Sequence, residues 1–191
     1  MNEESRVNDE RQGRQIMREV CRALRDHEGI DLGDGSWIHL ALKAPEELRR
    51  QSGTAYCRSP RGLASYRRRS NGSRSVTADY RITICLGLSP ADFAACCAHE
   101  LGHIYQYREN FPELPIVVSE GLCELFKFAW LKAQGRTVAE RELRRMLRNP
   151  DPVYGEGFRL ACQSLIDRTL AEVLAHVRCN GHLPPHAAAY A

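Results

Sequence analysis

The chain has 191 residues and 21.6 kDa, enough for one domain with its own core but too little for two of ordinary size. Apolar residues at 43% and charged residues at 27% exclude a disordered tail, a collagen-like fibre and a coiled-coil rod. With a net charge of +3, no apolar run near the roughly 20 residues that span a bilayer, and a polar N-terminus without a signal-peptide core, we expect no nucleic-acid partner, no membrane and a cytoplasmic protein.

In chain order, Ile16, Val20 and Leu24 fall four apart amid dense charge, which predicts an amphipathic helix within residues 1–30. A glycine-rich break at Gly29–Gly35 separates it from a main domain over 31–185, and residues 186–191 read as a tail. Trp37–Leu42 predicts a strand, Pro45–Gly53 a short helix, and residues 55–67 a second strand. Arg67–Arg74 carries an Asn-Gly pair and predicts a turn. From Ala78, the alternation of Tyr80, Ile82, Ile84 and Leu86 predicts a half-buried strand.

The second half reads as helices. Ser89-Pro90-Ala91-Asp92 supplies an N-cap, a proline at the first helical position and an acid at the third, opening a helix to about Arg108. A loop from Phe111 to Pro115 leads to a helix over Val118–Gln134 closed by Gly135. Thr137–Glu140 and Thr169–Glu172 read as capping boxes for two more. Between them Asn149–Pro152 is a stop, and Tyr154 opens a further helix. Strands followed by helices predict an α+β fold with a small, mostly antiparallel sheet.

Eight cysteines include no Cys-x-x-Cys pair, so we expect reduced, mostly buried thiols and neither a zinc ribbon nor a LIM finger. The chemistry concentrates in His99-Glu100-Leu101-Gly102-His103, an HExxH. Histidines four apart share one helical face, so both rings reach one metal ion. Glu100 sits about 100° around the helix, placed to take a proton from water as general base. A catalytic zinc needs a third protein ligand and one open position. Glu120, with sixteen residues between it and His103, opens the next helix and suits the gluzincin arrangement. The metzincin alternative fails, because Glu109 stands where its third histidine would be.

Four readings stay open at this point. Glu124, one turn past Glu120, either accepts a histidine ring proton or is merely exposed. Cys96 and Cys123 are either packed thiols or the closing ligands of a structural site with His99 and His103. Tyr154, held between a proline stop and the glycines of Gly155-Glu156-Gly157, either aims its hydroxyl at an oxyanion or anchors its helix. Arg159 either binds a substrate carboxylate or pairs with an acid.

His99-Glu100-x-x-His103, Glu120-Gly121-x-Cys123 and Pro152-Val153-Tyr154-Gly155-Glu156-Gly157-Phe158-Arg159 together resemble the peptidase domain of the plant organ-size regulators, the DA-one type, over residues 53 to 185. The resemblance implies a gluzincin-like zinc metallopeptidase that makes limited cuts in proteins and, in plants, is activated by ubiquitination. It implies His99, His103 and Glu120 as zinc ligands and Glu100 as the group that activates water. Ser119 departs from the family, which has an acid there. Of 27 cations 24 are arginine, a bias that points to a GC-rich genome and a bacterial relative without the LIM and ubiquitin-interacting modules. The link to ubiquitin is therefore uncertain. The expected function is a zinc-dependent peptidase with catalytic Glu100 and Tyr154, its protein or peptide substrate lying along an edge strand, expected at residues 80–87. The alternative is a non-catalytic, zinc-stabilised protein-binding module.

Overall fold

The computed structural model describes residues 6–52, 60–70 and 76–185. Their order is α1 (Glu10–Glu28), β1 (Ile38–Lys43), α2 (Pro45–Ser52), β2 (Gly62–Ser70), β3 (Val76–Cys85), α3 (Pro90–Arg108), α4 (Ile116–Ala133), α5 (Arg136–Leu147), α6 (Tyr154–Gln163) and α7 (Leu170–Asn180). The fold is α+β and mostly helical. Among the described residues no helix is long and apolar enough to cross a membrane.

The sheet is mixed, where a mostly antiparallel one was expected. Its order is β1-β3-β2, with β2 antiparallel to β3 from Gly62↔Ile84 to Ser70↔Val76. β1 runs parallel to β3 from Ile38↔Tyr80 to Lys43↔Cys85. The reason is connectivity: α2 and β2 intervene between β1 and β3, and a crossover of that length permits a parallel partner. Alternation along β3 reports one buried face and is silent about neighbours. β3 is therefore central, and residues 80–87 do not offer the free edge expected of them. Of the strand expected at 55–67, residues 53–59 lie outside the described residues, as do 71–75 of the expected turn.

Ile38, Leu40, Ala64, Ile82 and Ile84 face a core shared with α1 and α3. α1 starts at Asp9, whose carboxylate accepts the Gln12 N–H, and buries Met17, Val20, Cys21 and Leu24 against the following helices. α3 is the central helix. The Ser89 side chain accepts from Asp92 N–H and Pro90 fills the first turn. Phe93, Cys97, Ala98, Leu101 and Ile104 are fully buried between sheet and α4.

Caps in the helical half follow the sequence with one exception. Thr169 and Glu172 form a reciprocal capping box for α7. Thr137 and Glu140 form none: α5 begins earlier, at Arg136 after Gly135, and Glu140 pairs with Arg136 at 2.7 Å instead. Gly135 has φ +107°, outside the region open to most residues, so it can end α4 and start α5 in one step.

Two glycine crossings fix the helices that carry the site. A Cβ at Gly102 would lie 2.9 Å from Cys123 Cα, so α3 and α4 meet nearly backbone to side-chain root. A Cβ at Gly121 would lie 2.3 Å from the Gly157 carbonyl oxygen, so α4 and α6 also touch through backbone. Gly155 and Gly157, at the start of α6, both stand where backbone approaches backbone: a Cβ at Gly155 would lie 2.1 Å from the Asn149 carbonyl oxygen and one at Gly157 2.3 Å from that of Val117.

Candidate metal centre

α3 carries His99 and His103 one turn apart, their ring centroids 5.3 Å from each other. The Gly102 crossing brings α4 alongside, and Glu120 Oε2 comes 3.0 Å from His99 Nε2 and 3.5 Å from His103 Nε2. One turn on, Glu124 Oε1 lies 2.9 Å from His99 Nδ1. Lys127 Nζ reaches both Glu124 oxygens at 2.8 and 3.1 Å. His99 is thus held on both nitrogens by acids from a single neighbouring helix.

The electrostatics follow from that packing. Burial disfavours a charged His99 ring, yet the hydrogen bonds it donates to Glu120 and Glu124 outweigh this and lift the pKa to about 10. Burial alone would raise both acids, but their histidine contacts, with Lys127 added at Glu124, hold each below the ordinary carboxylate range. Glu100 behaves oppositely. Burial raises its pKa against the pull of both histidines, and the Ala64 backbone of β2 supplies a hydrogen bond to it. A Cβ at Gly62 would sit 2.5 Å from Glu100 Oε1, so β2 lies directly over this carboxylate.

Among the described residues, His99, His103 and Cys123 offer ligand atoms all within 4.8 Å of one another, a group that could hold a metal ion. Glu120 contends with Cys123 for the third place. Tetrahedral nitrogen and oxygen ligands about 2.0–2.1 Å from zinc stand roughly 3.3 Å apart. The two histidine gaps to Glu120 bracket that spacing. Cys123 Sγ instead accepts from Gln106 Nε2 at 3.2 Å, and burial pushes its thiol well above the usual pKa. Cys96 stands apart from this group, its Sγ facing the Gly62 backbone. The seven cysteines among the described residues are free thiols; Cys57 lies outside them.

Tyr154 comes to the same cavity, about 360 Å³, that His99, Glu100 and Gly62 line. Its ring centroid is 5.9 Å from that of His99. Asp151 places it, accepting the N–H groups of Val153 and Tyr154 at 2.8 Å each. Arg159 pairs with Glu156 at 2.7 Å and donates to the Leu147 and Asn149 carbonyls, so it ties α6 to the end of α5. A larger cavity of about 800 Å³, between α1, the start of α3 and α5, holds none of the five residues singled out for catalysis or metal binding.

No protein-family profile matches the chain, and no solved structure matches it. Two curated plant proteins do. Protein DA1-related 2 of Arabidopsis thaliana is 25% identical over 175 residues, covering 70% of this chain and 33% of that protein. Protein DA1 of the same plant is 25% identical over 147 residues, covering 58% and 28%. The chain spans about a third of the length of these relatives. It is similar to part of a DA1-type protein.

The sequence missed two contributors. Tyr107 follows His103 at the same helical spacing, its ring 6.4 Å away and nearly parallel. Burial, then the nearby Cys123, Glu100 and Glu120, push its hydroxyl up to about 12. The i, i+4 repeat of His99, His103 and Tyr107 was the available signal. Lys127 carried one too, three residues after Glu124, but only the Glu124–His99 contact gives that spacing meaning.

Proposed function

We propose that the chain is a zinc-dependent peptidase of gluzincin type, with His99, His103 and Glu120 as ligands and Glu100 as general base. The observation that carries this reading is the approach of one Glu120 oxygen from α4 to the Nε2 atoms of both α3 histidines, at 3.0 and 3.5 Å, with a buried carboxylate from the same motif beside them. The partial likeness to DA1-type proteins supports it.

Zinc held there would polarise a scissile carbonyl and make water a better nucleophile. Every other task falls to this chain. Glu124 accepts the Nδ1 proton of His99 and so turns its Nε2 toward Glu120, while Lys127 keeps Glu124 charged. Glu100, its proton affinity raised by burial, takes a proton from the attacking water and can return it to the leaving amine. Tyr154, beside His99 in the same cavity, donates to the oxyanion. With β3 central, the substrate strand lies along β2, whose backbone covers Glu100. The free thiols support a reducing, cytoplasmic setting.

The test is cleavage of a mixed protein substrate by zinc-loaded protein, beside Glu100→Gln. We expect cuts that vanish in Glu100→Gln while about one equivalent of zinc stays bound. Equal cutting by both proteins refutes the base. Zinc binding that survives Glu120→Ala but not Cys123→Ser instead establishes the non-catalytic, zinc-stabilised module, which the His99, His103 and Cys123 grouping favours.

A further inference from the structure

A second cavity, about 660 Å³, opens beside the proposed catalytic one, and the two share Glu124, Lys127, Arg145 and Asn149 as walls. Its cations come from three places in the chain: Lys127 on α4, Arg141, Arg144 and Arg145 on α5, and Arg148 just after it. Acids nearby are fewer. Glu124 is engaged by Lys127, and Glu142 is shared by Arg141 at 3.2 Å and Arg145 at 2.7 Å. Arg144 and Arg148 are exposed and have no side-chain partner among the described residues. Like charges gathered in a concave wall raise the local concentration of opposite charge far more than the same charges on an open face.

We propose that this cavity takes an acidic stretch of the substrate, so that the peptidase selects chains with Asp or Glu close to the bond it cuts. The inference rests on the peptidase reading above for its meaning, though not for its binding. Reach sets the distance. Lys127 Nζ is 3.1 Å from Glu124 Oε1, itself 2.9 Å from His99 Nδ1. Across a ring about 2.2 Å wide, the ammonium lies within about 8 Å of His99 Nε2, and an extended chain advances about 3.3–3.6 Å per residue. A chain leaving the proposed metal site for this wall therefore meets its nearest cation within about three residues. Several carboxylates are called for, because a single chain terminus is satisfied by one forked arginine, whereas these cations are spread over a helix, its neighbour and a loop.

The test uses the full chain as Glu100→Gln with zinc, to prevent turnover, and fluorescein-labelled nonapeptides read by anisotropy. One peptide carries alternating Glu and an amidated end, one has Gln in their place, and one is the Gln peptide with a free carboxyl terminus. We expect the Glu peptide to bind about tenfold tighter than either Gln peptide at low salt, as two or three partly exposed ion pairs supply. Arg144→Glu with Arg148→Glu should reduce the gap to within about threefold. Arg144→Gln with Arg148→Gln should do so in part, and guards against any loss of fold at the end of α5. Arg49→Glu with Arg50→Glu on α2, the same change in net charge, should leave the gap intact. The proposal is overturned if the α5 reversal leaves the gap unchanged, if the α2 reversal removes it equally, or if the free-terminus peptide binds as well as the Glu peptide. If the α5 cations govern binding but zinc-loaded wild-type protein cuts no peptide, the peptidase reading fails and the acidic-peptide site stands.

Discussion

Replacing Gly102 by alanine should weaken zinc binding while leaving the chain folded. The new Cβ would meet Cys123 at 2.9 Å from Cα, 3.0 Å from Sγ and 3.2 Å from Cβ. Non-bonded carbons rest at about 3.5–4.0 Å, so α3 and α4 must part by about 0.6–1 Å. Overpacking of this kind costs about 1–3 kcal/mol. Alanine returns about 1 kcal/mol in helix propensity. The net loss, at most about 2 kcal/mol, is small beside the 5–15 kcal/mol typical of a domain, roughly speaking. The metal is less forgiving. Ligand distances matter at about ±0.2 Å, and Glu120 rides on the helix that moves, so affinity should fall about 10–100-fold. Competition with a chromophoric chelator measures the affinity, and a urea midpoint measures the fold. Zinc affinity within about twofold of wild type, alongside a lowered midpoint, would refute the argument that this crossing sets the ligand spacing.

Other consequences concern single groups. Glu120→Ala should abolish tight zinc binding and Cys123→Ser should retain it, both read by metal analysis after dialysis; the reverse pattern overturns the ligand assignment. Tyr154→Phe should keep fold and zinc and lower kcat by about 10²–10³, and unchanged turnover would remove its hydroxyl from the reaction. Zinc affinity of the metal-free protein should climb about tenfold per pH unit from near 6.5 towards 9, because a His99 proton held up to about 10 must leave first; a flat profile refutes this. By the same linkage, the raised His99 stabilises the metal-free fold fully below its unfolded pKa, and that contribution is lost as pH rises through about 10. The depressed Glu120 and Glu124 stabilise above their unfolded pKa and lose that contribution as pH falls through their folded values. Urea midpoints of the metal-free protein should therefore peak between about pH 4.5 and 6.5 and fall on either side, and Glu124→Gln should flatten the acid limb.

The local signals in the sequence were enough to place most elements. Ser89 with Pro90, Thr169 with Glu172, and the alternation through Tyr80, Ile82 and Ile84 are each settled by neighbours within a few residues, so α3, α7 and β3 could be read directly. The HExxH spacing likewise put His99 and His103 on one face, since helical geometry alone does this. What the sequence left undecided depends on partners far along the chain. Alternation could not tell a central strand from an edge, and β1 on its far side made β3 central. Thr137 and Glu140 spelled a capping box, but a glycine at φ +107° started α5 before it. Arg159 and Glu124 each had two readings until α5 and α3 supplied the atoms they touch. The contest between Glu120 and Cys123 turns on the Gly102 crossing, because which α4 side chain reaches two rings on α3 is a matter of how closely two backbones approach, and no spacing within either helix encodes it.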